Sequence, residues 1–240
     1  SISFILNEKE GKIRKVDYID YAKFNSGKIV SQVSGHARKK MFQKFMEYTT
    51  PSQEICVLDV GVTPDNKMVS NNFFEKMYPW TGNITMCSME DAKNLEDEFP
   101  GSRFVQNKSG ESLPFKTGQF DIVFCSAVLE HVGNKKEQRF FLKELIRVGK
   151  KVFLTTPNRW FPVEVHTVLP FIHWLPQNIH QKILRMLGRD FYAKTSNLNL
   201  LSKRQLNRML SSIKAPVHWT FSQYRLFGMT SNIILYVERN

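Results

Sequence analysis

Apolar residues recur along this chain with two different spacings. Between residues 27 and 49 they return every four positions, with basic residues between them, which predicts an amphipathic helix that packs on a core. Further along, short continuous apolar runs alternate with polar, helix-like segments. Continuous runs are typical of parallel strands buried on both faces. The runs cover residues 54–60, 83–89, 102–106, 119–128 and 150–156, and the helical segments cover residues 90–99 and 135–148.

This alternation predicts right-handed βαβ units and a mostly parallel sheet with helices on both faces. After residue 156 the rhythm changes. A stretch rich in Pro, Trp and His leads to one helix, residues 178–188, and we interpret residues 157–200 as an insert. Ser202 and Gln205 form a capping box that opens the next helix, and two strands at 217–227 and 232–239 follow as antiparallel neighbours. We therefore expect a single domain over residues 1–240, with an N-terminal helical segment at 1–50.

Composition and charge narrow the class of protein. With 42% hydrophobic and 23% charged residues in 240, the composition is that of an ordinary globular chain. A net charge of +12 favours anionic partners, but the basic residues form short clusters without interleaved aromatic residues, so a nucleic-acid partner is not expected. No secretory signal and no apolar window of about 20 residues occur, which predicts a cytoplasmic protein that does not cross a membrane.

Cysteine and histidine spacing argues against a metal site. Cys56, Cys87 and Cys125 lie in separate apolar runs without CxxC spacing, and we interpret them as reduced thiols in buried strands. Four histidines, at positions 131, 166, 173 and 180, have neither HxxxH spacing nor a neighbouring cysteine. The seven-residue intervals among the last three are interpreted as one side of helical segments.

Three phrases resemble a known enzyme family. VLDVG at 57–61, ESLPFKTGQFDIVFCSAVLEHV at 111–132 and KKVFLTTPNRW at 150–160 are similar to class I S-adenosylmethionine-dependent methyltransferases of the type-11 group. The resemblance implies a Rossmann-like α/β fold with a seven-stranded, mostly parallel sheet whose last strand is antiparallel. It also implies methyl transfer with S-adenosyl-L-methionine as the cofactor.

The resemblance further implies where the methionine end of the cofactor lies. Asp59 and Gly61 match the acid and the glycine turn that follow the first strand of the family. Val62 to Pro64 replace the flexible residues expected there, so Thr63 and Asp65 are predicted to offer side-chain contacts instead. Alternatively, Gly61 allows only a tight turn and the loop binds no cofactor. The resemblance also places the backbone of Ser126 and Ala127 beside the sulfonium group of the cofactor.

The ribose and adenine contacts depart from the family pattern. The acid that normally holds the ribose would lie near Ser88, and the nearest carboxylates are Glu90 and Asp91. Both are equally well explained as acids in the first turn of a helix. For the adenine amino group, Asn107 or Ser109 replaces the usual acid.

The resemblance places His131 near the acceptor, where a histidine can remove a proton as the methyl group is transferred. A helix-start hydrogen-bonding role is the alternative. His166 is the second candidate base, and the insert at 157–200 is expected to form a lid over the acceptor site.

Several acceptors and one other class of function remain open. We expect O-methylation of a small-molecule or lipid-linked glycan hydroxyl, with residues 168–189 either contacting the anionic inner membrane surface or packing on the sheet. A quinone or other small aromatic hydroxyl is an alternative acceptor. A methyltransferase fold that has lost catalysis and serves as a binding or scaffold module is the third reading. Nothing in the pattern indicates an oligomeric state.

Overall fold

The computed structural model describes residues 28–65 and 71–239, and these form a seven-stranded sheet with helices on both faces. The strands are β1 Val57–Val60, β2 Ile84–Ser88, β3 Arg103–Gln106, β4 Phe120–Ser126, β5 Gly149–Pro157, β6 Val217–Leu226 and β7 Met229–Arg239. The helices are α1 Lys28–Thr49, α2 Phe73–Met77, α3 Leu95–Glu98, α4 Lys135–Val148, α5 Gln177–Met186 and α6 Lys203–Ser211.

The strand order is β3-β2-β1-β4-β5-β7-β6, with β1 to β5 parallel and β7 antiparallel to both β5 and β6. The predicted Rossmann-like fold is therefore confirmed. The order of strands reverses between β1 and β4. The carboxyl ends of these two strands meet at one edge of the sheet, which is where ligands bind in folds of this kind.

Two apolar layers cover the sheet. On one face, α1 and α2 pack an aromatic cluster centred on Phe45 against Phe124 and Phe153 of the strands. On the other face, α4 and α6 bury their apolar sides. Both of these helices begin with a capping box, from Asn134 and Ser202, so the predicted box at Ser202 is confirmed.

Several local predictions were wrong for identifiable reasons. β1 begins at Val57, so Cys56 precedes the strand and is exposed, whereas Cys87 and Cys125 are buried. Only residues 95–98 of the segment 90–99 are helical, because the Asp91 side chain accepts a hydrogen bond from the Lys93 N–H at 3.1 Å and forms a local turn before the helix.

The insert helix α5 also buries a different face from the one expected if its apolar stripe packed on the sheet. Its buried residues are His180 and Leu184, whereas Ile179 and Met186 are exposed, as is Leu187 just beyond it. Leu184 belongs to a small apolar cluster within the insert and its flank. The apolar stripe read from the sequence is therefore not the buried face.

Hydrogen bonds tie the end of the insert to the turn after β4. The Asn199 N–H donates to the Glu130 carbonyl at 2.7 Å, and its side-chain amide donates to the Gly133 carbonyl at 2.9 Å. The buried Gln138 side chain of α4 donates to the carbonyls of Leu129 and Asn199. The insert is thus fixed over the carboxyl end of β4.

Within the described ranges, no helix is both long enough and apolar enough to cross a membrane. The first part of the predicted N-terminal helical segment, residues 1–27, lies outside those ranges.

Phe45→Ala tests the aromatic cluster. Phe45 is fully buried and its ring meets those of Phe74, Phe124 and Phe153. We expect a loss of about 3–5 kcal/mol in the free energy of unfolding by denaturant, from lost burial and the cavity left behind. Phe227→Ala, at a ring that is 83% exposed, is the control and should change stability by less than about 0.5 kcal/mol. Equal effects of the two substitutions would show that α1 is not anchored through Phe45.

Candidate cofactor and acceptor site

The loop after β1 contains one glycine whose conformation the turn requires. Gly61 has a φ of 111°, and its N–H donates to the Cys87 carbonyl of β2 at 2.8 Å. Residues with a Cβ rarely adopt this φ. Gly61 therefore connects β1 to the loop while staying hydrogen-bonded to the neighbouring strand.

Asparagine side chains hold residues 63 and 65 of this loop. Asn72 accepts from the Thr63 N–H at 3.0 Å and donates to the Thr63 carbonyl at 2.8 Å. Asn71 donates to the Asp65 carbonyl at 2.7 Å. Asn72 is itself in the left-handed region, with a φ of 48°. Thr63 and Asp65 are thus held by two side chains that follow them in the sequence, where the family pattern would use further glycines.

Two buried carboxyl groups meet beneath the loop. Asp59 at the end of β1 interacts with Glu75 of α2, and both are almost fully buried. Burial, and then the charge of Glu75, raise the pKa of Asp59 well above its ordinary value, and burial also raises the pKa of Glu75. Among the described residues, no side chain other than Asp59 offers the Glu75 oxygens a hydrogen bond. Two facing carboxyls are stable when they share one proton. The pair then carries one negative charge, which attracts a cationic group.

A small cavity opens beside Asp59. It has a volume of about 20 Å³, which is room for about one water molecule. Ser126 and Ala127 line it at the end of β4, where the Ser126 hydroxyl is hydrogen-bonded to Thr155 at 2.8 Å. Arg38 and the aromatic rings of the α2 region close it from the other side. The lining residues are Arg38, Asp59, Gly61, Val62, Asn72, Phe73, Phe74, Phe124, Ser126 and Ala127.

A larger cavity of about 230 Å³ lies beyond the ends of β2 and β3. Asn107 and Ser109 are in its wall, and the Asn107 N–H donates to the Ser88 carbonyl at 2.8 Å. The Ser88 hydroxyl is buried and has no hydrogen-bond partner among the described residues. A buried hydroxyl without a partner is costly, so it marks a position where a polar ligand atom would be stabilised.

The predicted cofactor residues thus fall into three groups. Asp59, Gly61, Ser126 and Ala127 line the small cavity, whereas Asn107 and Ser109 line the larger one. The other four predicted residues line neither cavity: they are Thr63, Asp65, Glu90 and Asp91. All of these assignments stay predictions.

The two candidate bases lie side by side although 35 positions separate them in the sequence. The Nε2 atoms of His131 and His166 are 3.1 Å apart. His131 Nδ1 donates to the Asn197 carbonyl at 2.7 Å, and His166 Nδ1 is 2.6 Å from a Glu164 carboxylate oxygen. The histidines come from a short 3₁₀ turn after β4 and from a turn of the insert. Of His166, His173 and His180, only the last lies in an α-helix, so the interpretation of the seven-residue intervals as one side of helical segments was wrong.

Burial and charge separate the protonation of these two rings. Burial, and then the neighbouring His166, lower the pKa of His131 to about 3. Burial opposes protonation of His166 as well, but Glu164 outweighs it and raises the His166 pKa. Although burial alone would raise it, the pKa of Glu164 falls to about 2 because of His166 and four hydrogen bonds. His131 also borders the 230 Å³ cavity, so it is next to ligand space while remaining buried.

A third cavity, of about 510 Å³, lies at the carboxyl end of β5 between β6, β7 and the start of α6. Asn158, Gln223 and Thr230 supply polar groups, and Lys203 and Arg204 supply positive charge. Trp160, which is 55% exposed, forms an aromatic wall. Polar groups beside an aromatic ring suit a polar ligand with an apolar face.

Comparison with known proteins agrees with this arrangement. Residues 73–152, a third of the chain, match a family model described as a methyltransferase domain (Methyltransf_11). The chain has a class I methyltransferase domain. Enzymes of this class transfer a methyl group from S-adenosylmethionine, so the predicted enzyme class and cofactor are confirmed at the level of the domain. No curated protein sequence matches this methyltransferase.

Solved structures show the same fold at low sequence identity. An S-adenosylmethionine-dependent methyltransferase from Clostridium acetobutylicum is 10% identical with a TM-score of 0.58, covering 93% of this chain and 99% of that chain. One from Aquifex aeolicus is 12% identical with a TM-score of 0.53, covering 82% and 88%. Magnesium protoporphyrin IX methyltransferase from Synechocystis, solved with bound SAH, is 12% identical with a TM-score of 0.51, covering 96% and 90%.

Sequence reasoning missed several residues of the methyltransferase site. Glu75 and Asn72 follow the loop at a distance, and no pattern pairs them with Asp59 or Thr63. Glu130 lies in the quoted phrase SAVLEHV, but its burial beside the histidine pair depends on the insert. Arg38 was counted among the solvated charges of α1, yet it lines the small cavity.

Glu75→Gln tests the carboxyl pair through the pH dependence of stability. Native-state pKa values raised above the unfolded value of about 4 mean that the folded protein binds the extra proton, so stability falls as pH rises from about 4 toward the raised pKa. One extra proton gives a slope of up to about 1.4 kcal/mol per pH unit. Removing one carboxyl should make the decline from pH 5 to pH 8 shallower, as measured by denaturant unfolding.

The control for this experiment is Glu47→Gln, which removes an exposed carboxyl from α1. It should leave the slope of the parent protein unchanged. Parallel stability curves for Glu75→Gln and the parent would show that the two carboxyls do not share a proton.

Proposed function

We propose that this methyltransferase transfers a methyl group to a hydroxyl of a lipid-linked glycan. The observation that carries the proposal is the polar, basic 510 Å³ cavity at the carboxyl end of β5, because it adjoins the insert whose apolar residues are exposed. A glycan with a lipid carrier has a polar part that matches the cavity and an apolar part that matches the insert. The proposal therefore involves the cofactor site, the acceptor cavity and the apolar surface of the insert.

On the donor side, the residues present suit S-adenosylmethionine. The Asp59–Glu75 pair offers negative charge to an ammonium group, and the Ser88 hydroxyl has an open hydrogen-bonding position for a ribose hydroxyl. Asn107 and Ser109 lie where an adenine ring would be recognised. The bound cofactor supplies an electrophilic methyl group on a sulfonium. The protein's own contribution is positioning, which accounts for much of the acceleration in such in-line transfers.

The small cavity implies a movement when the donor binds. About 20 Å³ does not hold a methionine moiety, and the side chains of Arg38 and Phe73 are in the way. We infer that these side chains shift outward, which brings the Arg38 guanidinium to the rim, where a carboxylate would be its partner. Binding would then depend on α1 as well as on the loop after β1.

On the acceptor side, the 510 Å³ cavity supplies both kinds of contact that a sugar needs. Trp160 presents an apolar ring to a sugar face, and Asn158 and Gln223 present hydrogen-bonding groups to its hydroxyls. Lys203 and Arg204 lie in the first turn of α6, where their charges favour a phosphate between sugar and lipid.

On the membrane side, the insert exposes an unusual amount of apolar surface. Phe171 and Trp174 pack against each other and are exposed, and Met186 is 77% exposed at the end of α5. Lys182, Arg185 and Arg189 accompany them. Apolar side chains next to basic ones suit shallow contact with an anionic lipid surface, which supports the proposed use of residues 168–189 at a membrane.

Two other functions have one supporting observation each. A small aromatic hydroxyl, as in a quinone precursor, would suit the aromatic rings of Trp160 and Phe221 in the wall of the 510 Å³ cavity. A scaffold that no longer binds the cofactor would be consistent with the 20 Å³ volume of the other cavity. The following experiments distinguish these functions from the proposal.

Calorimetric titration with S-adenosylmethionine and S-adenosylhomocysteine is the first test. We expect a dissociation constant near micromolar, about −8 kcal/mol. Gly61→Val should weaken binding at least tenfold, because valine is strained at a φ of 111° and its side chain would enter the small cavity. Gly228→Val, at a φ of 78° with open space around it, is the matched control and should bind normally. Absence of binding up to millimolar cofactor would favour the scaffold.

Methyl transfer to a defined acceptor tests the substrate class. The probe is a polyprenyl-phosphate-linked sugar in vesicles containing anionic lipid, with radiolabelled S-adenosylmethionine as the donor. We expect the double variant Lys203→Ala/Arg204→Ala to raise the KM for this acceptor about tenfold without changing cofactor affinity, because both charges line the acceptor cavity.

Lys143→Ala/Lys214→Ala removes two exposed charges outside that cavity and is the matched control. Transfer to soluble phenols but not to the sugar would instead support the small aromatic acceptor. Binding of cofactor without transfer to either class would leave the fold assignment intact and reject the proposed acceptor.

A further inference from the structure

We infer that Glu130, His131 and His166 form a binding site for one divalent transition-metal ion, with Zn²⁺ as the best match. One ligand atom from each residue lies within 4.8 Å of the others, and all three residues are buried. The inferred site adjoins the 230 Å³ cavity through His131, and the inference does not depend on the proposed substrate.

The hydrogen bonds of the two histidines already orient their lone pairs. In each ring Nδ1 is hydrogen-bonded to an oxygen: that of His131 to the Asn197 carbonyl, and that of His166 to the Glu164 carboxylate. The Nε2 atoms are then the atoms that carry lone pairs, and they face each other at 3.1 Å. Two nitrogens bound at about 2.0–2.1 Å to one tetrahedral zinc ion lie about 3.3 Å apart. The observed distance is close to that geometry.

A proton shared between the two rings would explain their contact but not the third residue. Glu130 Oε2 accepts from the Thr156 hydroxyl at 2.9 Å, whereas Oε1 is buried and has no hydrogen-bond partner among the described residues. A proton between the two Nε2 atoms leaves this buried oxygen unsatisfied, which is unfavourable. A metal ion satisfies all three atoms at once, and this difference favours the metal.

Charge balance is compatible with a divalent ion. When both are ionised, Glu130 and Glu164 carry two negative charges in a region with almost no solvent. One divalent ion with two neutral histidines neutralises them. Two histidines and one glutamate are a ligand set known for zinc, and a fourth position stays open in such sites.

The surroundings of the site also resemble an outer shell of metal ligands. A carboxylate that accepts from the non-coordinating nitrogen of a ligand histidine fixes the ring and increases its basicity, and Glu164 has this relation to His166. Glu164 is itself held by the backbone N–H groups of His166 and Thr167 and by the Thr167 hydroxyl. The ion would join the turn after β4 to the insert. On this inference His131 and His166 are ligands, which is an alternative to the predictions that either one acts as a general base and that the chain has no metal site.

The test uses the full-length protein after dialysis against a chelator. We expect it to bind about one equivalent of Zn²⁺ or Co²⁺, with visible absorption bands of four- or five-coordinate Co²⁺. Glu130→Gln and His166→Gln should each weaken binding at least 100-fold, and Glu164→Gln should weaken it about 10- to 100-fold. His173→Gln, at another buried histidine of the insert, and His218→Gln, at an exposed one, are the matched controls and should bind as the parent does.

X-ray absorption of the Zn²⁺-loaded parent protein keeps the test independent of whether the variants fold. The spectrum should show two imidazole nitrogen ligands on the zinc ion, and its remaining ligands should all be oxygen. No stoichiometric binding by the parent, a sulfur ligand, or folded variants that bind like the parent would each overturn the inference. The first of these outcomes would favour the shared proton.

Discussion

The burial of two carboxylates and two imidazoles between the sheet and the insert is the constraint on which the arrangement of this protein depends. Glu130, His131, Glu164 and His166 are all at most 5% exposed. Charged groups without water must be paired and hydrogen-bonded, since each uncompensated charge costs several kcal/mol. Glu164 and His166 meet this requirement against the turn after β4, where His166 contacts His131. These contacts add to the hydrogen bonds of Asn199 and Gln138 that hold the end of the insert at the same turn.

The insert leaves several of its apolar residues outside. The buried side of α5 consists of His180 and Leu184, and Leu184 belongs to a small apolar cluster of the insert. Ile179 and Met186 of the same helix stay exposed. An exposed apolar surface is thereby left on the side that we propose contacts lipid.

Much of the fold could be predicted from the sequence, because its signals are local. The residues of α4 follow from helical periodicity and the strands follow from continuous apolar runs, whereas the seven-stranded arrangement was implied by the family resemblance. The site could be predicted only where a strand end placed a residue directly, as with Asp59 and Gly61. Glu75, Asn72 and the His131–His166 contact could not be predicted, because each joins segments whose separation in the sequence carries no periodic signal. Spacing rules for metal ligands would miss the proposed metal site for the same reason.

The loop after β1 shows how a departure from a family pattern can be compensated. Further glycines would allow the backbone to approach a ligand, but they would also leave the loop flexible before binding. Here Pro64 restricts the chain, and Asn72 fixes Thr63 through both of its backbone groups. A rigid loop loses less conformational entropy when a ligand binds. The cost is that Asn72 and Phe73, which are adjacent, couple the loop to the rings that close the small cavity. Opening the cavity for a donor must then move Phe73 without releasing Asn72, so adaptation falls to the Phe73 side chain and to Arg38 of α1.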